Sequence, residues 1–331
     1  MAELYLGVDT SCYTTSVAAV DVEGSVWADV RQTLKVPLGE KGLAQSAALF
    51  QHIKNLPQLM ESLSEALGSD HHSWRGMAAS SQPRRLPGSY MPVFLAGLSC
   101  VQSLAAVLGV PWVTVSHQEG HIMAGKCSSG LIGDSFVTIH LSGGTSEVLL
   151  VKEKLPEYEI KALGGTTDLS AGQFVDRVGV LLGLPFPSGQ ALERLAGEAP
   201  DEKGVFIPSV VRGLSFSFSG PETYARKLYN EGVDSALIAR AVERCIAATL
   251  EKVIRAAVQA VRVPDVLLVG GVIANKFIRQ RLEHRLDCEK VRLWFADPKL
   301  ATDNAVGVAL LARSAFCKDN LLNSVHISWQ E

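Results

Sequence analysis

Two histidines stand four residues apart in the run His117-Gln118-Glu119-Gly120-His121. On a helix that spacing puts both imidazoles on one face, where their nitrogens can meet a single metal ion. Glu119 is third in the run rather than second, so the pattern is not HExxH and the metalloprotease template does not fit. Two unrelated surface histidines have the same spacing. A third ligand has to come from elsewhere, and a carboxylate near a helix start is the kind to seek. Asp303 has that chemistry, although spacing alone does not choose it.

Three short turns of small residues follow apolar segments: Thr10-Ser11, Ser142-Gly143-Gly144-Thr145 and Gly270-Gly271. Backbone N–H groups and hydroxyls in such turns can surround a phosphate without positive charge, and glycine lets a ligand approach the main chain. A helix opening after Gly271 offers free N–H donors at its N-terminus. The spacing there is not GxGxxG, which argues against a dinucleotide site. Each turn alone reads as a plain connection, and their recurrence is what points to phosphate. Asp176 closes the stretch that begins at Leu169, an acidic residue among apolar neighbours. It suits a cap, a pair with Arg177 or Arg212, or a contact to ribose hydroxyls, with a structural pair favoured.

The elements that carry these residues alternate. Leu4 to Val20 and Phe136 to Val151 each read as strand, small polar turn, strand, and the likeness suggests two related lobes. Val266 to Leu282 reads as buried strand, glycine turn, helix. Ala44 to Leu67 and Asp234 to Val261 carry apolar residues at helical spacing. Met91 to Leu108 reads as a largely buried helix after the turn Leu86-Pro87-Gly88-Ser89. Pro111 to Val115 reads as a strand entering the histidine run, and Thr302 to Ala315 as a final helix with Asp303 in its first turn. Strands alternating with helices predict an α/β architecture, mostly parallel or mixed.

A chain of 331 residues suits two domains, and 47% hydrophobic with 20% charged residues is the composition of a compact protein. The apolar runs have strand length, so no membrane span is expected, and Met1-Ala2-Glu3 enters a strand with no targeting segment. The six cysteines form no CxxC pair, which favours reduced thiols in a cytoplasmic protein. A net charge of −3 gives no global attraction to nucleic acid. Contact with RNA would need a local basic patch, Arg84-Arg85 or Arg212 to Lys227, and solvated surface is the plainer reading of both.

Taken in order, His117 to His121 (HQEGH), Leu141 to Val148 (LSGGTSEV), Phe216 to Gly220 (FSFSG), Gly270 to Asn275 (GGVIAN) and Ala301 to Ala305 (ATDNA) resemble one family. It is the family that makes threonylcarbamoyladenosine in tRNA, once described as O-sialoglycoprotein endopeptidase or glycoprotease M22. The resemblance covers nearly the whole chain. It implies the actin-like ATPase (sugar kinase/Hsp70/actin) fold, two RNase H-like lobes with a central ligand cleft. Residues 1–112, completed by a C-terminal helix 302–331, are expected to form one lobe, and 113–301 the other. By resemblance His117, His121 and Asp303 hold one iron or zinc ion. Ser142, Gly143, Gly144 and Thr145 take the phosphate side of an adenylate, with Ser11 and Gly271 in the other turns, while Asp176, Gly189 and Asn275 hold the nucleoside. ATP, ADP, AMP or threonylcarbamoyl-AMP is the implied nucleotide, with Mg²⁺ as a further candidate. tRNA and partner proteins of the same pathway are the implied partners. The implied reaction transfers threonylcarbamoyl from its AMP anhydride to N6 of adenosine.

The chain departs from the family at its first turn, where the usual ETSCDET becomes Asp9-Thr10-Ser11-Cys12-Tyr13-Thr14-Thr15, so Tyr13 and Thr14 replace two adjacent acids. The TxGPG turn becomes the longer, basic Ser80 to Ser89, and SGGHTQ becomes Ser142 to Glu147 (SGGTSE). The catalytic residues are therefore unassigned. Three readings follow: a threonylcarbamoyltransferase or close relative, a catalytically impaired paralogue serving as a nucleotide-binding scaffold or regulator, and, least favoured, a metallopeptidase.

Overall fold

The computed structural model describes residues 2–11, 13–37, 43–68, 72–86, 88–154, 157–200, 204–287, 290–317 and 327. Cys12, Pro87, Cys288 and most of the expected tail after residue 317 lie outside them. Two compact units divide the chain, the first made of 1–132, 154–158 and 303–331, the second of 133–153 and 159–302.

In the first unit the apolar N-terminal segment forms β1 (Ala2–Asp9), antiparallel to β2 (Thr14–Asp21), and β3 (Val26–Thr33) continues the meander. α1 (Gln45–Leu67) leads to β4 (His72–Gln82), parallel to β1 on its other side. α2 (Phe94–Leu108), β5 (Trp112–Ser116) and α3 (His117–Ser129) follow, and β5 lies parallel to β4. The sheet order is β3-β2-β1-β4-β5. β1 is central and covered on both faces, so its side chains sort by the two-residue period of a strand. Leu4, Leu6 and Val8 pack with Leu56, Leu59 and Leu63 of α1 and Ala96, Val101 and Ala105 of α2. Each large aliphatic group buried this way contributes about 1.5–3 kcal/mol.

In the second unit β6 (Ser135–Leu141) and β7 (Ser146–Lys154) form an antiparallel hairpin, and β8 (Glu157–Thr166) borders β7. Then come α4 (Ala171–Leu181), α5 (Gly189–Gly197), the short β9 (Val210–Arg212) and β10 (Ser215–Ser217), α6 (Ser219–Asn230) and α7 (Ser235–Val261). β11 (Asp265–Val269), a 3₁₀ turn (Gly271–Ala274), α8 (Lys276–Leu286), β12 (Arg292–Phe295) and α9 (Pro298–Ala301) complete it. The sheet order is β12-β11-β6-β7-β8-β10-β9. Its first five strands repeat the order of the other sheet, with β9 and β10 added at one edge. Val137, Ile139 and Leu141 of β6 join Val266 and Leu268 of β11 and Val242, Ile246 and Leu250 of α7 in one core. Asp234 caps α7, accepting from the N–H of Ala236 and Leu237.

α10 (Val306–Phe316) returns to the first unit and lies on β1. Gly7 makes this possible, since a Cβ there would overlap the backbone of Ala305 and Ala309.

Several expectations are corrected. The division falls after residue 132 rather than 112, because β5 pairs with β4 and α3 packs on α10, so the histidine run belongs to the first unit. The final helix starts at Val306, leaving Asp303 ahead of it. α2 is half covered, with Leu95, Val107 and Leu108 exposed. β3, β4 and β8 had no counterpart in the sequence reading.

Candidate metal centre and phosphate turns

α3 starts at the first histidine because Ser116 caps it. The Ser116 hydroxyl accepts from the Glu119 N–H, and the Glu119 carboxylate accepts from the Ser116 N–H at 2.7 Å. This reciprocal box satisfies two orphan donors of the first turn. Arg85 also donates to the buried Glu119 carboxylate, at 2.9 Å, and to Glu157. Glu119 is thus spent on helix geometry, which explains why it stands third in the run.

His117 and His121 then project from one face, with ring centroids 4.5 Å apart. Asp303 arrives just before α10, its carbonyl accepting from Arg31 at 3.4 Å. What lets the two elements meet is glycine on both sides: a Cβ at Gly307 would overlap the Gly120 carbonyl. The His117 and His121 Nε2 atoms are 3.1 Å apart, and each stands near Asp303 Oδ1, at 3.5 and 3.3 Å. All three ligand atoms lie within 4.8 Å of one another. A tetrahedral ion with bonds of about 2.0–2.1 Å separates its ligand atoms by about 3.3–3.4 Å, so the triangle fits a zinc-sized ion. Two imidazoles and one carboxylate also suit ferrous iron.

Burial and neighbouring charges set the protonation of the three groups. Burial works to lower the His117 pKa, but Asp9 and Asp303 outweigh it and raise the value to about 10. Burial, together with its neighbour His117, lowers His121. Burial opposes ionisation of Asp303, yet its bonds to both imidazoles hold it well below the usual carboxylate range.

In the second unit the turn after β6 closes on itself: the Ser142 N–H donates to the Thr145 carbonyl at 2.8 Å, and the Thr145 N–H to the Ser142 hydroxyl at 3.0 Å. Ser170, the cap of α4, donates to the Gly143 carbonyl at 2.7 Å. Gly172 must be glycine, because a Cβ would overlap Gly143 and the Ser142 carbonyl region. Gly143 and Gly144 themselves face open space. Gly270 has φ +98° and its backbone crosses Leu141 directly, which brings the Gly271 turn beside the Ser142 turn.

Asp176 makes no arginine pair in its described contacts. It accepts from the Ser188 N–H at 2.7 Å, next to Gly189, and burial pushes its carboxyl up. Asn275 caps α8 through Ile278 and donates to Glu243 at 2.6 Å. Glu193 of α5 accepts from the Lys276 N–H, so the Gly189 and Asn275 segments are tied together. Ser11 sits in the first unit, buried, its hydroxyl donating to Asp9 at 2.6 Å. Tyr13 precedes β2 and Thr14 opens it, both half-buried. The basic patches are largely neutralised: Arg85 by two glutamates, Arg226 by Glu222, Lys227 by Glu231. Sequence reasoning left Asp9, Ser80 and Glu243 unassigned; an acid closing an otherwise apolar strand is the one local signal that could have pointed to Asp9.

Two sheets that repeat one strand order define a protein of the actin-like ATPase (sugar kinase/Hsp70/actin) fold. Solved structures agree on the fold. Component A of (R)-2-hydroxyglutaryl-CoA dehydratase from Acidaminococcus fermentans is 15% identical, with a TM-score of 0.55, over 95% of this chain and 99% of that one. HypF of T. kodakarensis is 16% identical, with a TM-score of 0.56, over 93% of this chain and 47% of that one. Full-length HypF in its phosphate- and nucleotide-bound form is 13% identical, with a TM-score of 0.58, over 99% of this chain and 47% of that one. Within this fold the chain belongs to the TsaD family, tRNA N6-adenosine threonylcarbamoyltransferase, whose model matches residues 33–310. Among the described residues no helix is long and apolar enough to cross a membrane.

Proposed function

We propose that the chain is a threonylcarbamoyltransferase-like protein that binds one transition metal at His117, His121 and Asp303 and an adenine nucleotide at the turns of its second unit. The reaction, in this chain or in the ancestor it descends from, moves threonylcarbamoyl from its AMP anhydride to N6 of a tRNA adenosine. The N6–carbon bond forms, the carbon–oxygen bond to AMP breaks, and N6 gives up a proton. The observation that carries the reading is the triangle of two imidazoles and one carboxylate in a member of this family. A bound iron or zinc ion would offset negative charge developing on the carbamoyl oxygen. Gly143 and Gly144 leave their backbone open to phosphate, and Asp176, Gly189 and Asn275 lie along one connected stretch suited to a nucleoside. Mg²⁺ with the nucleotide, the pathway's partner proteins and a cytoplasmic location belong to the same reading.

A second reading is favoured by Tyr13 and Thr14: an impaired paralogue that keeps its ligands and has lost turnover. Peptidase activity is the least favoured reading, since Glu119 of the histidine run is committed to the helix cap. Metal analysis of protein purified without chelators, an ATP and AMP titration, and a transfer assay with threonylcarbamoyl-AMP and tRNA test both readings. One metal per chain, nucleotide binding and transfer support the transferase. Both ligands without transfer select the paralogue. Absence of both ligands overturns the proposal.

A further inference from the structure

Asp9 ends β1 with its side chain fully buried. Its Oδ2 lies 3.0 Å from His117 Nδ1 and accepts the Ser11 hydroxyl at 2.6 Å, while Oδ1 accepts the Ser80 hydroxyl. These donors come from the β1–β2 turn, from β4 and from α3, so the carboxylate is fixed from three sides. Both serine hydroxyls donate hydrogen bonds to it, and it remains an acceptor toward the imidazole. His117 Nδ1 then carries a hydrogen in either protonation state, so when the ring coordinates a metal it is Nε2, aimed at His121 and Asp303, that offers its lone pair. Which ring nitrogen binds a metal is set by the bond the other makes.

We propose that Asp9 is a positioning residue for the metal centre, holding His117 through Nδ1 so that Nε2 is the coordinating atom, and that Ser11 and Ser80 hold Asp9 in turn. The proposal rests on the reading of His117, His121 and Asp303 as metal ligands. Ser11 thereby belongs to the metal's support and has its proton committed, rather than free for a phosphate.

Apo-protein is titrated with Co²⁺ and Zn²⁺ against a competing chelator, as wild type and as Asp9→Asn. Asn keeps the shape and loses the charge. Affinity is expected to fall about 10–100-fold, the usual effect of losing an outer-sphere partner. The visible spectrum of the Co²⁺-saturated variant should match wild type, because the three ligands remain. Unchanged affinity in a folded Asp9→Asn protein overturns the proposal, and so does an altered Co²⁺ spectrum, which would make Asp9 a ligand itself. Should Asp9→Asn not fold, Ser80→Ala carries the test: weaker metal binding supports the proposal and wild-type affinity overturns it. His121→Ala serves as the control. If that variant keeps stoichiometric metal, the metal centre itself is misassigned, which is a separate failure.

Discussion

Replacing His121 by alanine removes one of three protein ligands and should abolish stoichiometric metal, a loss beyond the roughly 10–100-fold effect of an outer partner. Elemental analysis of protein purified without chelators reads this directly. His52 offers a different test. It is fully buried, with Nδ1 2.9 Å from the Thr15 hydroxyl, which also accepts from Asn55. Burial, opposed by Asp9 and Asp303, lowers its pKa from 6.5 to about 4. Between those values the unfolded chain binds a proton that the folded chain does not. The neutral ring's stabilisation is therefore complete above pH 6.5 and lost as pH falls through 4, by up to roughly 3 kcal/mol. Urea unfolding at pH 4.5 and 7 should show a smaller difference for His52→Gln than for wild type. Equal differences would mean that His52 titrates alike in both states.

At the scale of elements, the centre depends on how closely α10 approaches α3. Gly307→Ala would push a methyl into the Gly120 carbonyl, with an overpacking cost of about 1–3 kcal/mol. The shift would move Asp303 away from the histidines, so a lower Tm should come with weaker metal binding. The second unit behaves in the opposite way at Gly143, where a Cβ meets nothing. Gly143→Val should leave Tm near wild type while filling the space a phosphate would use. Isothermal titration with ATP should then show affinity reduced more than tenfold, and an unchanged value would remove this turn from the nucleotide site.

For the whole molecule the question is turnover. Tyr13 and Thr14 carry no negative charge near neutrality, since Tyr ionises near pH 10 and Thr has no acidic group in this range. Anionic nucleotide should bind no worse for this, while a step that needs a carboxylate to orient Mg²⁺ or take a proton should be slow. The chain is therefore expected not to rescue a strain depleted of its housekeeping threonylcarbamoyl transferase. Tyr13→Asp combined with Thr14→Glu should restore part of the activity in vitro and in the strain. Full rescue by the unaltered chain would show that both residues are tolerated.

Much of this was written locally in the chain. Apolar runs ended by small residues marked β1, β2, β6, β7 and β11, and helical spacing marked α1 and α7 through Pro57 and over 27 residues respectively. An i, i+4 spacing placed His117 and His121 on one face before any fold was known. Local periodicity carries no information about what lies opposite that face. Asp303, 182 positions from His121, and Asp9, 108 from His117, reach the centre only because β1 is central in its sheet and α10 lies on it through Gly7. The family resemblance named Asp303, and nothing but packing revealed Asp9. The same holds for Glu119, whose capping role needs the start of α3, and for the unit boundary, which depends on β5 pairing with a strand from earlier in the chain. Side-chain type and spacing determined which chemistry was available; backbone approach at a few glycines decided which groups meet.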